Sequence, residues 1–244
     1  MINDIKLLII MRHGERTDRA GGTPKCGTMN PELTEKGKLQ SFLASKLTIE
    51  TIKKLGIKEL SPELIQIRTS PYMRTIQTSV QILKAFNLSF SNNNNNLENK
   101  LNNVYIDFDL KKRIKPNKKI DKNEFLYKTV DTYGNFDDEL KGIDYLGDKG
   151  EFPLDAETKE QCEKRSFKYA NTILKNNVEN ENSKNKIFII VGHRGSLKYI
   201  LKKLGYNIID KKILDYCSQF FFDVKNGIDN AKLLEILHKP EIDT

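Results

Sequence analysis

Three short apolar runs constrain this chain most: Leu7 to Met11, Leu64 to Ile67 and Ile187 to Val191. Runs this short, rich in β-branched residues and cut off by polar clusters that hold glycine or proline, read as buried strands that each feed a loop. The first loop is Arg12-His13-Gly14-Glu15-Arg16-Thr17-Asp18, the second Thr69-Ser70-Pro71-Tyr72-Met73-Arg74, and the third Gly192-His193-Arg194-Gly195-Ser196. A lone Arg-His pair at a strand end is more often a solvated edge or a satisfied polar contact than a catalytic site. Here two of the three histidines in the chain sit at such ends, which is hard to explain as scatter. Planar guanidinium forks and an imidazole that converge on one point are what a phosphoryl group requires. His13 therefore reads as a nucleophile, with Arg12 and Arg16 as its phosphate clamp.

Helical spacing fills the intervals between the runs. Thr34 is a plausible N-cap for a helix to about Lys54, and Leu39, Phe42, Leu43 and Leu47 recur as if on its core face. Ile76, Val80, Leu83 and Ala85 or Phe86 make the inner face of a second helix, which puts Arg74 near its N-terminus, where backbone N–H groups favour an anion. Val104 to Phe108 reads as a third strand. Glu157 to Leu174 and Gly195 to about Leu204 read as further helices, and Gln219 to Val224 with Lys232 to Leu237 as a hairpin-linked strand pair. Asp18 to Asn30, rich in Gly, Thr and Pro, reads as irregular rim structure. The asparagine run 92–96 reads as a solvated loop. Alternating strands and helices imply a three-layer α/β/α sandwich whose ligand site lies beyond the carboxyl ends of the strands. A single domain, 1–244, accounts for the length, with an insertion over about 110–155 that crosses the open end of the sheet and would carry substrate specificity.

The charge of +8, from 41 Lys and Arg against 33 Asp and Glu, raises the question of nucleic acid or an anionic membrane. The lysines are spread along the chain, with no basic helix or aromatic platform, so neither is expected; a positive field would favour phosphorylated substrates. Cys26, Cys162 and Cys217 are few, odd in number and widely spaced, which suits a reducing compartment and fits no zinc pattern. The apolar stretch near the N-terminus is too short for a signal peptide or a membrane span, and a cytoplasmic location is expected.

The three motif loops, with Asn30-Pro31-Glu32-Leu33-Thr34 between the first and the second, in this order resemble the histidine phosphatase superfamily, also called phosphoglycerate mutase-like. The form Arg12-His13-Gly14-Glu15-Arg16-x-Asp18, with Ser70-Pro71-Tyr72-x-Arg74-Thr75-x-Gln77-Thr78 later, is most similar to the suppressor-of-T-cell-receptor-signalling and ecdysteroid-phosphate phosphatase group. So is the segment Glu157 to Phe167, with Cys162, Arg165 and Ser166. The resemblance spans roughly Leu7 to Leu201. It implies a phosphoglycerate mutase-like fold and a metal-independent phosphomonoesterase without cofactor, in which His13 carries the phosphoryl group. His193 would be the second imidazole, and Arg12, Arg16 and Arg74 would bind phosphate. Mutase activity is less expected from this motif form.

In that family a carboxylic acid, two residues after a leucine that follows the third strand, protonates the leaving alcohol. After Leu110 the corresponding residue is Lys112, a poor donor at neutral pH. Asp107 or Asp109 could supply the proton from a shifted position, Asp155 or Glu157 could fold over, or the acid is absent and only good leaving groups react. Arg194, where the family prefers a small residue, either crowds the pocket, adds a phosphate contact or is a plain surface arginine. The expected partner is a phosphorylated small molecule or a phosphoprotein, with a homodimer or a larger assembly compatible. The competing expectation is a catalytically weak or inactive phosphatase fold kept as a phosphate-binding or structural subunit.

Overall fold

The computed structural model describes residues 6–91, 100–116, 130–135, 137–151, 154–180, 186–210 and 212–242. The asparagine run 92–96 lies outside them. Its centre is a seven-stranded sheet formed by β1 (Leu7–Arg12), β2 (Ile65–Thr69), β3 (Asn103–Ile106), β4 (Asp144–Gly147), β5 (Ile187–Gly192), β6 (Gln219–Asp223) and β7 (Lys232–Leu237). The order is β4-β3-β2-β5-β1-β6-β7, with β4 through β1 parallel and β6 and β7 antiparallel.

β1 and β5 lie in the middle and are buried at every position, as parallel strands covered on both faces must be. Alternation splits β1 between two cores. Leu7, Ile9 and Met11 point to one side with Ile187, Ile189 and Val191, whereas Leu8 and Ile10 point to the other with Phe188, Ile190, Phe220 and Phe222. Helices α1 (Glu35–Lys54) and α2 (Met73–Ser91) cover the first face. The second is covered by α3 (Lys159–Tyr169), continued through a π-turn into α4 (Lys175–Val178), and by α5 (Arg194–Lys203). This is the three-layer α/β/α arrangement, and β1, β2 and β5 all end at the same edge of the sheet, where the three motif loops emerge. Among the described residues no helix is long and apolar enough to cross a membrane, and the three cysteines are free and buried.

One expectation needs correction. α1 starts where Thr34 caps it, with the Thr34 hydroxyl accepting from the Gly37 N–H at 2.8 Å, but its core face is not the leucine stripe. Leu39 is 45% exposed and Leu47 39%, while Gly37, Gln40, Ser41, Ala44, Ser45 and Thr48 are buried. The inner face is narrow because α1 packs closely on α2 and on the first motif loop, and small or hydrogen-bonding residues fit that gap. A Cβ on Gly37 would stand 2.3 Å from the Glu15 carbonyl oxygen, and one on Gly14 would stand 2.5 Å from that of Gly37.

The middle of the insertion, residues 117–129, lies outside the described residues. The described part of the insertion adds the short edge strand β4 beside β3 and packs the stretch around Tyr133 and Asp137 on α2 and α1. There the Tyr133 hydroxyl donates to the Pro71 carbonyl at 2.6 Å, and Gln77 donates to Asp137 at 2.8 Å. Among the described residues of this region, Lys112 and Arg113 reach the wall at the open end of the sheet. The core assignment is tested by Ile9→Ala: urea unfolding should give a loss of about 2–5 kcal/mol with an unchanged denaturant slope. A loss near zero would contradict the placement of β1 at the centre.

Candidate active site

The open end of the parallel strands holds a cavity of about 470 Å³. Its wall brings together all five residues expected to form the phosphate site: Arg12, His13, Arg16, Arg74 and His193. The two imidazoles lie with ring centres 5.3 Å apart.

His13 follows the last residue of β1, and its Nδ1 lies 2.8 Å from the Gly14 carbonyl oxygen. A carbonyl only accepts, so Nδ1 carries the hydrogen and Nε2 keeps its lone pair. His193, at the end of β5, has Nε2 2.8 Å from the Ser70 hydroxyl and Nδ1 3.3 Å from Arg74 Nη2. Because the guanidinium only donates, Nδ1 of His193 is the acceptor and Nε2 the donor to Ser70. Burial first, then the nearby Arg74, holds both imidazoles well below the usual histidine range; Arg12 adds to the effect on His13. Both rings are neutral at physiological pH.

Arg74 is fully buried. Its Nε and Nη1 have no hydrogen-bond partner, and its guanidinium stacks over the Tyr72 ring at 4.7 Å. Burial and then Arg16 pull its pKa down to about 9. Arg12 is drawn down to about 10 by burial and then by Arg194; it donates to the Leu214 carbonyl at 3.0 Å and lies over the Tyr216 ring at 4.1 Å, and its Nε has no partner. Arg16 is held by a two-pronged contact with Asp18. Buried donors without acceptors cost about 1–3 kcal/mol each, more for charged groups. An anion in the cavity would relieve that cost.

The scaffold explains other motif residues. The Glu15 carboxylate accepts from the Thr34 hydroxyl at 3.0 Å, and the Glu15 N–H donates to Gln40, so Glu15 bolts the loop to α1. The Gly14 N–H donates to Thr78 on α2. Asn30 caps α2, its side-chain oxygen accepting from the Met73 N–H at 2.8 Å.

Neither Asp107 nor Asp109 lines the cavity. Asp107 is buried in a two-pronged pair with Arg68, at 2.6 and 2.7 Å, and accepts from the Tyr169 hydroxyl at 2.7 Å. Asp109 offers its backbone carbonyl to Arg165. Glu157 is paired with Arg165, and Asp155 lies out at the surface near Lys111. Lys112 does face the cavity, and Arg194 lines it with its Nε 3.3 Å from the Leu214 carbonyl oxygen. Sequence reasoning missed Arg19, Arg113, Asp215 and Tyr216, which also line it. Asp215, 3.4 Å from Arg12, is the one carboxylate among the described lining residues.

Residues 8–99 match the family model of the histidine phosphatase superfamily (branch 1). Similar solved structures include phosphoserine phosphatase from Entamoeba histolytica in complex with 3-phosphoglyceric acid. It is 18% identical, with a TM-score of 0.52 over 94% of this chain and 95% of that one. The Mycobacterium tuberculosis protein Rv3214 is 17% identical, with a TM-score of 0.51 over 96% and 98%. A mycobacterial glucosyl-3-phosphoglycerate phosphatase in complex with VO3 is 14% identical, with a TM-score of 0.50 over 94% and 96%. No curated protein matches the chain. The chain has the α/β fold of the histidine phosphatases and phosphoglycerate mutase-like proteins.

Two outcomes follow from the buried charges. Above the ordinary histidine pKa of about 6.5 both rings are neutral folded or unfolded; below it the unfolded chain takes up protons that the fold refuses. Stability in phosphate-free buffer should therefore fall between pH 7.5 and 5.5, by up to about 1.4 kcal/mol per pH unit for each histidine. His13→Gln should flatten that fall, and an unaltered slope would contradict the assignment. Inorganic phosphate at about 100 times its Kd should raise wild-type stability by about 2.7 kcal/mol. Arg74→Met should abolish that rise in a thermal-shift titration while leaving the phosphate-free protein as stable or more so.

Proposed function

We propose that this protein is a metal-independent phosphomonoesterase of the histidine phosphatase type, acting through a phosphohistidine on His13. The observation that carries the reading is the tautomer lock. With Nδ1 committed to the Gly14 carbonyl, the lone pair of Nε2 is available among Arg12, Arg16, Arg74 and His193. In the proposed step Nε2 forms a bond to phosphorus as the ester P–O bond breaks on the opposite side. The guanidinium groups spread over the phosphoryl oxygens, which carry about −1.5 to −2 charge, and water then cleaves the P–N bond. Guanidinium groups supply the neutralisation that a metal ion would otherwise provide. The phosphatase names of the structural neighbours agree with this reading. Within the superfamily, the Arg-His-Gly-Glu-Arg-x-Asp form supports kinship with the suppressor-of-T-cell-receptor-signalling and ecdysteroid-phosphate group. The substrate is a phosphorylated small molecule or a phosphoprotein, met in a reducing, cytoplasmic setting.

Lys112 at the acid position favours a second reading, a phosphate-binding subunit with little turnover. The two are separated by leaving-group dependence. General acid help is worth roughly 10² to 10⁴ in rate, so the active reading predicts hydrolysis of para-nitrophenyl phosphate without metal and loss of it in His13→Ala. It also predicts slow hydrolysis of alkyl phosphates, which need a proton on the leaving oxygen. Lys112→Glu should raise the alkyl phosphate rate by about 10²-fold or more. Turnover that survives His13→Ala would overturn the phosphohistidine reading. Phosphate binding with no wild-type turnover would establish the second.

A further inference from the structure

We propose that the cavity is built for a small molecule carrying at least one phosphate beyond the one transferred to His13. The inference rests on the phosphate-site reading above and adds the substrate class. Arg12, Arg16 and Arg74 carry three positive charges, which Asp215 beside Arg12 and Asp18 tied to Arg16 reduce to one, so a single phosphoryl dianion already draws on one further cation. Four more cations remain in the same wall: Arg19, Lys112, Arg113 and Arg194. They come from three separate loops. Arg19 ends the turn Thr17–Arg19 after β1, Lys112 and Arg113 follow the turn Phe108–Leu110 after β3, and Arg194 opens α5.

Three of these, Arg19, Arg113 and Arg194, form no ion pair among the described residues, although Arg113 lies near enough to the exposed Glu160 to lower its pKa. Arg113 and Arg194 flank one side of the rim, because the Cβ of Arg113 lies 3.7 Å from where a Cβ on Gly195 would stand. Arg194 is close enough to Arg12 to depress its pKa, so this side adjoins the clamp. Once that dianion is bound, three positive charges are left in the wall, which over-match a substrate carboxylate of one negative charge and suit a second phosphate, whose oxygens accept two-pronged arginine contacts. Their confinement to the wall of one cavity of about 470 Å³, a size usual for small-molecule sites, favours a compact ligand over an extended anionic surface.

The test is titration calorimetry on the turnover-deficient His13→Ala protein with three probes: glucose 6-phosphate, 6-phosphogluconate and glucose 1,6-bisphosphate. At physiological salt the bisphosphate should bind about tenfold tighter than glucose 6-phosphate, with 6-phosphogluconate between them. Adding Arg113→Gln and Arg194→Gln should shrink the bisphosphate advantage to under about threefold, while glucose 6-phosphate weakens far less. A bisphosphate that binds no tighter than the monophosphate, a carboxylate probe that equals it, or an advantage that survives both substitutions would each overturn the proposal. Failure of the underlying reading looks different: glucose 6-phosphate would then bind as well with Arg74→Met as without it, or no probe would bind at all, which overturns both.

Discussion

Arg74 sets the terms for the whole site. A guanidinium stripped of water, with two of its nitrogens unanswered and other arginines beside it, raises the free energy of the folded chain unless an anion arrives. The fold keeps it there through features that make sense only together. α2 starts at Met73, so its backbone N–H groups and its dipole add to the positive field. Tyr72 gives the guanidinium an aromatic face, and His193 accepts one of its hydrogens. The central strands can carry such a cluster because β1 and β5 bury apolar side chains on both faces and need no help from the loops that follow them.

Backbone contact fixes the first loop against this cluster. Gly14 and Gly37 let the loop and the start of α1 touch without side chains between them, and Glu15, Thr34, Gln40 and Thr78 close the contact with hydrogen bonds. His13 is thus held by its neighbours on either side, with one ring nitrogen committed and the other presented. Charge stabilisation works best when its groups need not reorganise, and here each guanidinium is braced: Arg12 on Leu214 and Tyr216, Arg16 on Asp18.

Much of this was legible in the sequence, because strand-ending motifs have a strong local signature. His13, His193 and the three clamp arginines all sit at or shortly after the ends of apolar runs. What the sequence hid depends on packing or on distant chain segments. The leucines of α1 form the more regular stripe, yet the close α1 contact selects Gly37, Ser41, Ala44 and Ser45 instead. β4 is four residues long and mostly exposed, so it carries no apolar alternation. Asp107 looked like a free acid because its partner is on another strand. Arg68 inside the otherwise apolar β2 was the available signal, since a buried arginine needs a carboxylate nearby. Arg113, Asp215 and Tyr216 lie in segments with no pattern of their own, and only the fold brings them to the cavity.

In the proposed reaction Nε2 of His13 is the atom that receives phosphorus. Rapid quenching of the protein with para-nitrophenyl phosphate into alkali, which preserves the P–N bond, followed by peptide mass spectrometry measures this directly. The account predicts one phosphorylated peptide, with the modification on His13, forming and decaying at rates compatible with turnover and absent from His13→Ala. Turnover with no phosphorylated His13 at any time, or phosphate found on another residue, would contradict it.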